Sequence, residues 1–98
     1  MKTVTIGVET TTGTITVVPH RAQVHRGEEL RWSIKEADAA TISFSNASPF
    51  DRKILRSEHD PTVIQSPPVT GLPGDYKYGV AVSVRSILYV EDPIISVL

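Results

Sequence analysis

Residues 74–82 read Gly74-Asp75-Tyr76-Lys77-Tyr78-Gly79-Val80-Ala81-Val82. Tyr76, Tyr78, Val80, Val82 and, just beyond, Val84 fall on one side of an extended chain. Asp75, Lys77, Gly79, Ala81 and Ser83 fall on the other. Side chains on a strand alternate faces with period two, so this pattern predicts a strand with one face in a core. Leu72-Pro73-Gly74-Asp75 supplies turn chemistry just before it, with Pro fixing φ and Gly permitting positive φ. Two inward Tyr would bury a large area, and each hydroxyl would need a partner or a place at the rim.

Moving outward, the same alternation returns on both sides. Val4, Ile6 and Val8 alternate with polar neighbours, then Thr10-Thr11-Thr12-Gly13 turns the chain. Thr14-Ile15-Thr16-Val17-Val18 resumes the pattern with the β-branched residues that strands favour, and Pro19 ends or edges it. Ala22 to Glu29 reads as a short extended piece with a turn at Arg26-Gly27. Leu30, Trp32 and Ile34 then alternate, with Trp32 as a main core anchor. Lys35 to Ala40 reads as a loop or a single helical turn, and Ile42 and Phe44 point inward from the next strand. Phe50 to Thr70 has little periodicity: a charged segment with Ile54 and Leu55, then a short strand at Thr62-Val63-Ile64-Gln65. Connections of this length occur where a chain crosses between sheets. Ile87-Leu88-Tyr89-Val90 and Ile94-Ile95-Ser96-Val97 read as a final pair joined by a turn at Glu91-Asp92-Pro93. Seven to eight strands and no helix of ten residues predict an all-β fold, an antiparallel Greek-key β-sandwich forming one domain over residues 1–98.

Composition narrows the functional classes. The chain has 98 residues, enough for one core, and 40% of them are hydrophobic. Aromatics are 6%, so Val, Ile and Leu must supply most of the core, with Trp32, Phe44, Tyr76 and Tyr78 as the large pieces. Net charge is −1 and neither half of the chain is basic, which argues against a nucleic-acid surface. No apolar run approaches the ~20 residues that span a bilayer, so no membrane insertion is expected. There is no Cys, which excludes disulfides, thiolate catalysis and thiolate metal sites. The first residues enter a strand pattern without an apolar leader core. On the sequence as it stands the expected location is cytoplasmic; it would be periplasmic or secreted had a leader been removed.

The order of features resembles the cupredoxins, the plastocyanin-like Greek-key sandwiches. The resemblance covers residues 14–97 and rests on the Trp32 strand, the Ile42–Phe44 strand, the irregular middle and Gly74-x-Tyr76-x-Tyr78-x-Val80. In that family a strand of this form ends in the copper-binding Cys, which falls at Val80 here. The upstream copper His falls at about Ala40, and residues 81–90 contain neither the second His nor the axial Met. A type-1 copper centre needs two His and a thiolate, so the resemblance implies the shell of that fold without its copper.

Other chemistry is sparse. His20, His25 and His59 are the only histidines and the only metal-ligand candidates, and lone His at this spacing is a weak signal. His20-Arg21 and His25-Arg26 form either a small anion patch or charged guards on a strand edge. Asp51, Ser57, Glu58, His59 and Asp60 are chemically competent for catalysis, yet no nucleophile elbow, His-Glu-x-x-His or phosphate loop positions them. Gly79 and Ala81 open a small-residue face that would admit a partner or mark a close strand approach. Ile94 to Leu98 carries apolar residues of both parities, which predicts burial on both faces. The expectation is therefore a non-catalytic, metal-free cupredoxin-like domain with no cofactor, acting as a binding or assembly module for a protein partner or for itself. An immunoglobulin-like or fibronectin-like adhesion domain is the alternative on the same pattern. A metal-binding protein or small enzyme using the surface histidines is the alternative in another class.

Overall fold

The computed structural model describes residues 1–98 and is all-β, without a helix. The strands are β1 (Lys2–Glu9), β2 (Thr14–Val18), β3 (Arg21–Val24), β4 (Leu30–Ile34), β5 (Ala39–Ser43), β6 (Ile54–Arg56), β7 (Val63–Gln65), β8 (Gly74–Lys77), β9 (Gly79–Val84), β10 (Ile87–Glu91) and β11 (Ile94–Val97). They form three sheets with the orders β2-β1-β4-β7, β10-β9-β5-β6 and β3-β11-β8. Short interruptions at residues 19–20, at Tyr78 and at residues 92–93 split single chain passes into β2/β3, β8/β9 and β10/β11. Counted as passes rather than segments, the chain makes eight.

The expected antiparallel sheets are in fact mixed. β1 runs parallel to β4 in the first sheet, and β3 runs parallel to β11 in the third. Only the β10-β9-β5-β6 sheet is antiparallel throughout. The cause is chain length between partners: β1 and β4 are separated by the whole β2/β3 pass, so no tight turn forces them to run in opposite directions.

The residues around Tyr78 are also more articulated than a single strand. β8 pairs with β11, and β9 pairs with β10 and β5. At the break Tyr78 N donates to Pro93 O at 3.1 Å, so the two sheets meet through one shared rung. The alternation nonetheless persists across the break: Tyr78, Val80, Val82 and Val84 are all buried, and Tyr76 is half-buried at the rim. Glu91-Asp92-Pro93 does not fold β10 back onto β11. The two continue in the same direction, because Pro93 sits at the shared rung and each strand pairs with a different half of the Gly74–Val84 pass. The reversal lies earlier, at Arg85-Ser86, where Val84 pairs with Ile87 across a two-residue loop. Both loop residues have positive φ, 51° and 67°, the backbone of a type I′ hairpin turn. Arg85 N is held there by Asp38 Oδ2 at 2.8 Å.

The core is one cluster that draws on all three sheets. Trp32 is fully buried, with Phe50 edge-on at 6.4 Å and Tyr78 edge-on at 5.9 Å between ring centroids. Phe44 completes the group at 5.8 Å from Phe50 and 5.6 Å from Tyr78. Ile95, Ser96 and Val97 are all buried, as the doubled parity of that run predicts. Buried Ser66 accepts from Leu30 N at 2.8 Å and donates to Pro67 O at 2.8 Å, so its hydroxyl is satisfied.

A corner locks the entry to β8. Tyr76 Oη donates to Leu72 O at 2.7 Å, four residues upstream. Gly71 lies under the ring and is tied to Pro49, whose carbonyl accepts from Thr70 N at 2.9 Å and Gly71 N at 3.0 Å. A Cβ at Gly71 would stand 2.8 Å from Pro49 Cα and 2.9 Å from Tyr76 Oη. Gly71→Ala should therefore destabilise the fold by about 1–3 kcal/mol in urea denaturation, as overpacking does. Adding Tyr76→Phe should not restore the loss, because the Pro49 backbone remains in the way.

Candidate functional site

The resemblance would put a metal beside Val80 and Ala40. Val80 and Ala40 are 1% and 3% exposed, and neither carries a donor atom. They sit on neighbouring strands, with Val80 opposite Ile42 and Ala40 opposite Val82. After Val80 the chain stays in the ladder to Val84 and turns back within two residues. There is no loop in which further ligands would sit. The residues present do not fit a copper ion: the position is closed by aliphatic side chains that coordinate nothing.

The sequence-predicted ligands lie apart. His20 is exposed between β2 and β3, and its carbonyl accepts from Ile94 N at 2.9 Å. His25 is exposed after β3, with Nδ1 3.4 Å from Glu28 Oε1 and its backbone N donating to the same oxygen at 2.6 Å. His59 is exposed between β6 and β7, beside an open depression of about 420 Å³ lined by Arg56, Glu58, Asp60, Val63 and Gln65. No three His, Asp or Glu side chains converge as a cation site would require.

The would-be catalytic cluster is dispersed by local duties. Asp51 pairs with Arg52 at 3.1 Å. Ser57 Oγ accepts from Ala40 N at 3.3 Å and so ties β6 to β5. Asp60 Oδ1 accepts from Thr62 N at 2.9 Å and Thr62 Oγ1 at 2.6 Å, a self-contained turn. Those two bonds, led by the hydroxyl, lower the Asp60 pKa. Of the two His-Arg pairs, Arg21 is committed: its guanidinium reaches Asp75 at 2.8 Å and Ser96 Oγ at 2.7 Å. Ser96 Oγ in turn donates to Asp75 Oδ1 at 2.7 Å. Arg21 first, then Ser96, lower the Asp75 pKa, so this surface network contributes fully above the ordinary carboxylate range and is lost as pH falls below it, through the lowered value.

The outward faces of β9 and β5 form a floor of small residues. Ser43 stands opposite Gly79, Thr41 opposite Ala81 and Ala39 opposite Ser83. A Cβ at Gly79 would lie 3.3 Å from Ser43 Oγ and 3.9 Å from Ser43 O, so the tight contact is with the Ser43 hydroxyl rather than with the strand backbone. Bulkier side chains flank the floor: Leu88 and Val90 on β10, Ile54 and Arg56 on β6. At its lower end an open polar depression of about 390 Å³ is lined by Ser43, Ser45, Asn46, Lys77 and Asp92.

Tyr78 is the one strongly perturbed titratable group. Burial raises its pKa from 10.0 to about 12, partly offset by the hydrogen bond from Trp32 Nε1 at 3.1 Å. Its ring packs on Trp32 and Phe44 and its hydroxyl is held by the Trp32 indole, while the residue also lines the depression beside Ser43 and Gly79. Comparison with protein-family models and with curated proteins finds no match for the chain.

Two outcomes follow for Tyr78. Tyr78→Phe leaves the buried Trp32 indole N–H without its acceptor and should cost about 1–3 kcal/mol. The tyrosine's raised value means that its contribution is fully present below pH 10, where both states hold the proton. It is then lost as pH rises toward 12, because the unfolded chain ionises first. Denaturation midpoints measured across that window should fall more steeply for the native chain than for Tyr78→Phe.

Proposed function

We propose that this chain is a non-catalytic, metal-free domain of the cupredoxin-like, Greek-key kind that acts as a binding or assembly module. The observation that carries the reading is the filled pair of positions, Val80 and Ala40, set in an otherwise continuous core. A chain that had lost a metal from a working site would leave polar atoms turned inward. Here no buried side-chain nitrogen or oxygen lacks a partner. The topology supports the Greek-key part. With β10-β9-β5-β6 and β3-β11-β8 as one layer, the chain crosses between β2 and β3, returns between β3 and β4, crosses between β4 and β5, returns between β6 and β7, and crosses again between β7 and β8. Its polar clusters are tied into turns and strand contacts, which leaves surface recognition as the work such a domain is built for.

One observation favours the immunoglobulin-like reading as a second possibility. The Tyr76 hydroxyl bonded to Leu72 O forms a tyrosine corner at the entry to a strand, a device of those sandwiches. That reading carries the same functional class, a binding module without catalysis.

Calorimetric titration tests the metal-free reading. Cu²⁺ or Zn²⁺ added at micromolar concentration should release no saturable heat, and one tight equivalent would refute the proposal. Val80→Cys supplies the missing thiolate alone; it should show no intense visible band with Cu²⁺, since no His stands beside it. A blue colour in that variant would place nitrogen donors where Ala40 is placed here.

A further inference from the structure

The last pass of the chain has one covered half and one bare half. Along Ile87–Val97 the hydrogen-bonded rungs to the neighbouring pass fall on odd-numbered residues, as Pro93 shows by accepting from Tyr78 N at 3.1 Å. The even-numbered residues therefore turn their backbone groups the other way. At Ile94 and Ser96 those groups meet β3, with Ile94 N donating to His20 O at 2.9 Å. At Leu88 and Val90 they join no ladder, because β10 pairs with β9 alone. β2 of the facing layer comes near β10 but forms no ladder with it. The side chains of Leu88 and Val90 are 65% and 64% exposed, while Tyr89 between them is buried.

Most other edges carry a guard. β6 has Arg56 with Lys53 beside it, β7 lies between Pro61 and Pro67-Pro68, β3 begins with Arg21, and β2 runs into Pro19. In β10 the charges stand only at the ends, at Arg85 before it and at Glu91-Asp92, and Ile87-Leu88-Tyr89-Val90 between them carries no charge and no proline.

We propose that β10 is a self-association edge, where it pairs antiparallel with β10 of a second copy about a two-fold axis at Tyr89. The proposal rests on the assembly-module reading above and names its partner. In this register Leu88 faces Val90 of the second copy, and the unpaired N–H and C=O of both residues are satisfied reciprocally. The four exposed aliphatic side chains then form one cross-strand cluster. Charge selects a second copy over an unrelated strand. Arg85 precedes β10 and Glu91-Asp92 ends it, so the antiparallel overlap lays each Arg85 along the acidic end of the other copy. The Arg85 side chain is 74% exposed and held only by Glu36 at 3.3 Å, free to exchange partners. A five-residue overlap buries less than the ~1,200 Å² of the smallest standard interfaces, so the dimer is reversible rather than obligate.

Sedimentation of the full chain from micromolar to millimolar concentration tests this. The weight-average mass should rise from 10.7 kDa toward twice that value. Val90→Pro removes only an outward N–H, which an edge position tolerates, and Leu88→Lys adds the missing guard. Each should weaken association by roughly tenfold or more with the circular dichroism spectrum unchanged. If Val90→Pro fails to fold, Leu88→Lys carries the test. In the native chain the Leu88 and Val90 amides should exchange more slowly as concentration rises. A chain that stays monomeric throughout overturns the proposal, as does a dimer indifferent to Leu88→Lys. So does a monomer whose β10 amides are protected only by an added strand-forming peptide. None of these outcomes alters the metal titration, which tests the parent reading separately.

Discussion

The hydrogen bond from the Trp32 indole to the Tyr78 hydroxyl joins the two layers at their centre. Trp32 belongs to β4 in the sheet begun by β1, and Tyr78 sits at the break where the opposite layer changes from one sheet to another. A buried indole N–H needs an acceptor, and a buried tyrosine needs a use for its oxygen; each solves the other's problem. Phe44 and Phe50 pack round the pair and keep water from competing. Because the bond fixes where Tyr78 lies, it also fixes where β8 ends and β9 begins.

The sheet change at Tyr78 explains much of the remaining architecture. It directs Gly74–Lys77 toward β11 and Gly79–Val84 toward β10 and β5. The last pass must break in step, which is why Pro93 is tolerated there: its missing N–H falls where the rung needs only its carbonyl. It also explains the uneven edge. β3 follows β11 for four residues, while its predecessor β2 has gone to the other layer, so β10 has β2 nearby but no hydrogen-bonded strand on that side.

Much of this was legible in the residues. The alternation from Tyr76 to Val84, the strand around Trp32 and the doubled parity of Ile95 to Val97 each encode burial directly, since period two maps side chains onto faces. Pairing direction was not legible, because the same alternation serves parallel and antiparallel neighbours. The hairpin at Arg85-Ser86 was hidden, since neither residue is the Gly or Asn that positive φ usually selects; Asp38, far away in sequence, supplies the anchor. Phe50 opens the aperiodic segment and Gly71 directly follows it, where loop packing rather than pattern decides burial, so neither stands out in the sequence. For the site, the sequence could exclude a thiolate centre from its lack of Cys. It gave no sign that Arg21, Ser96 and Asp75 would meet across three strands, since they lie far apart in the chain.

The central claim is that Trp32 and Tyr78 act as one coupled unit across the layers. A double-mutant cycle of Trp32→Phe and Tyr78→Phe, read by urea denaturation, measures that coupling with packing losses cancelled. A coupling energy of about 1 kcal/mol or more is the predicted result. Additive losses, within about 0.3 kcal/mol, would mean that the layers are held by apolar packing alone and would contradict it.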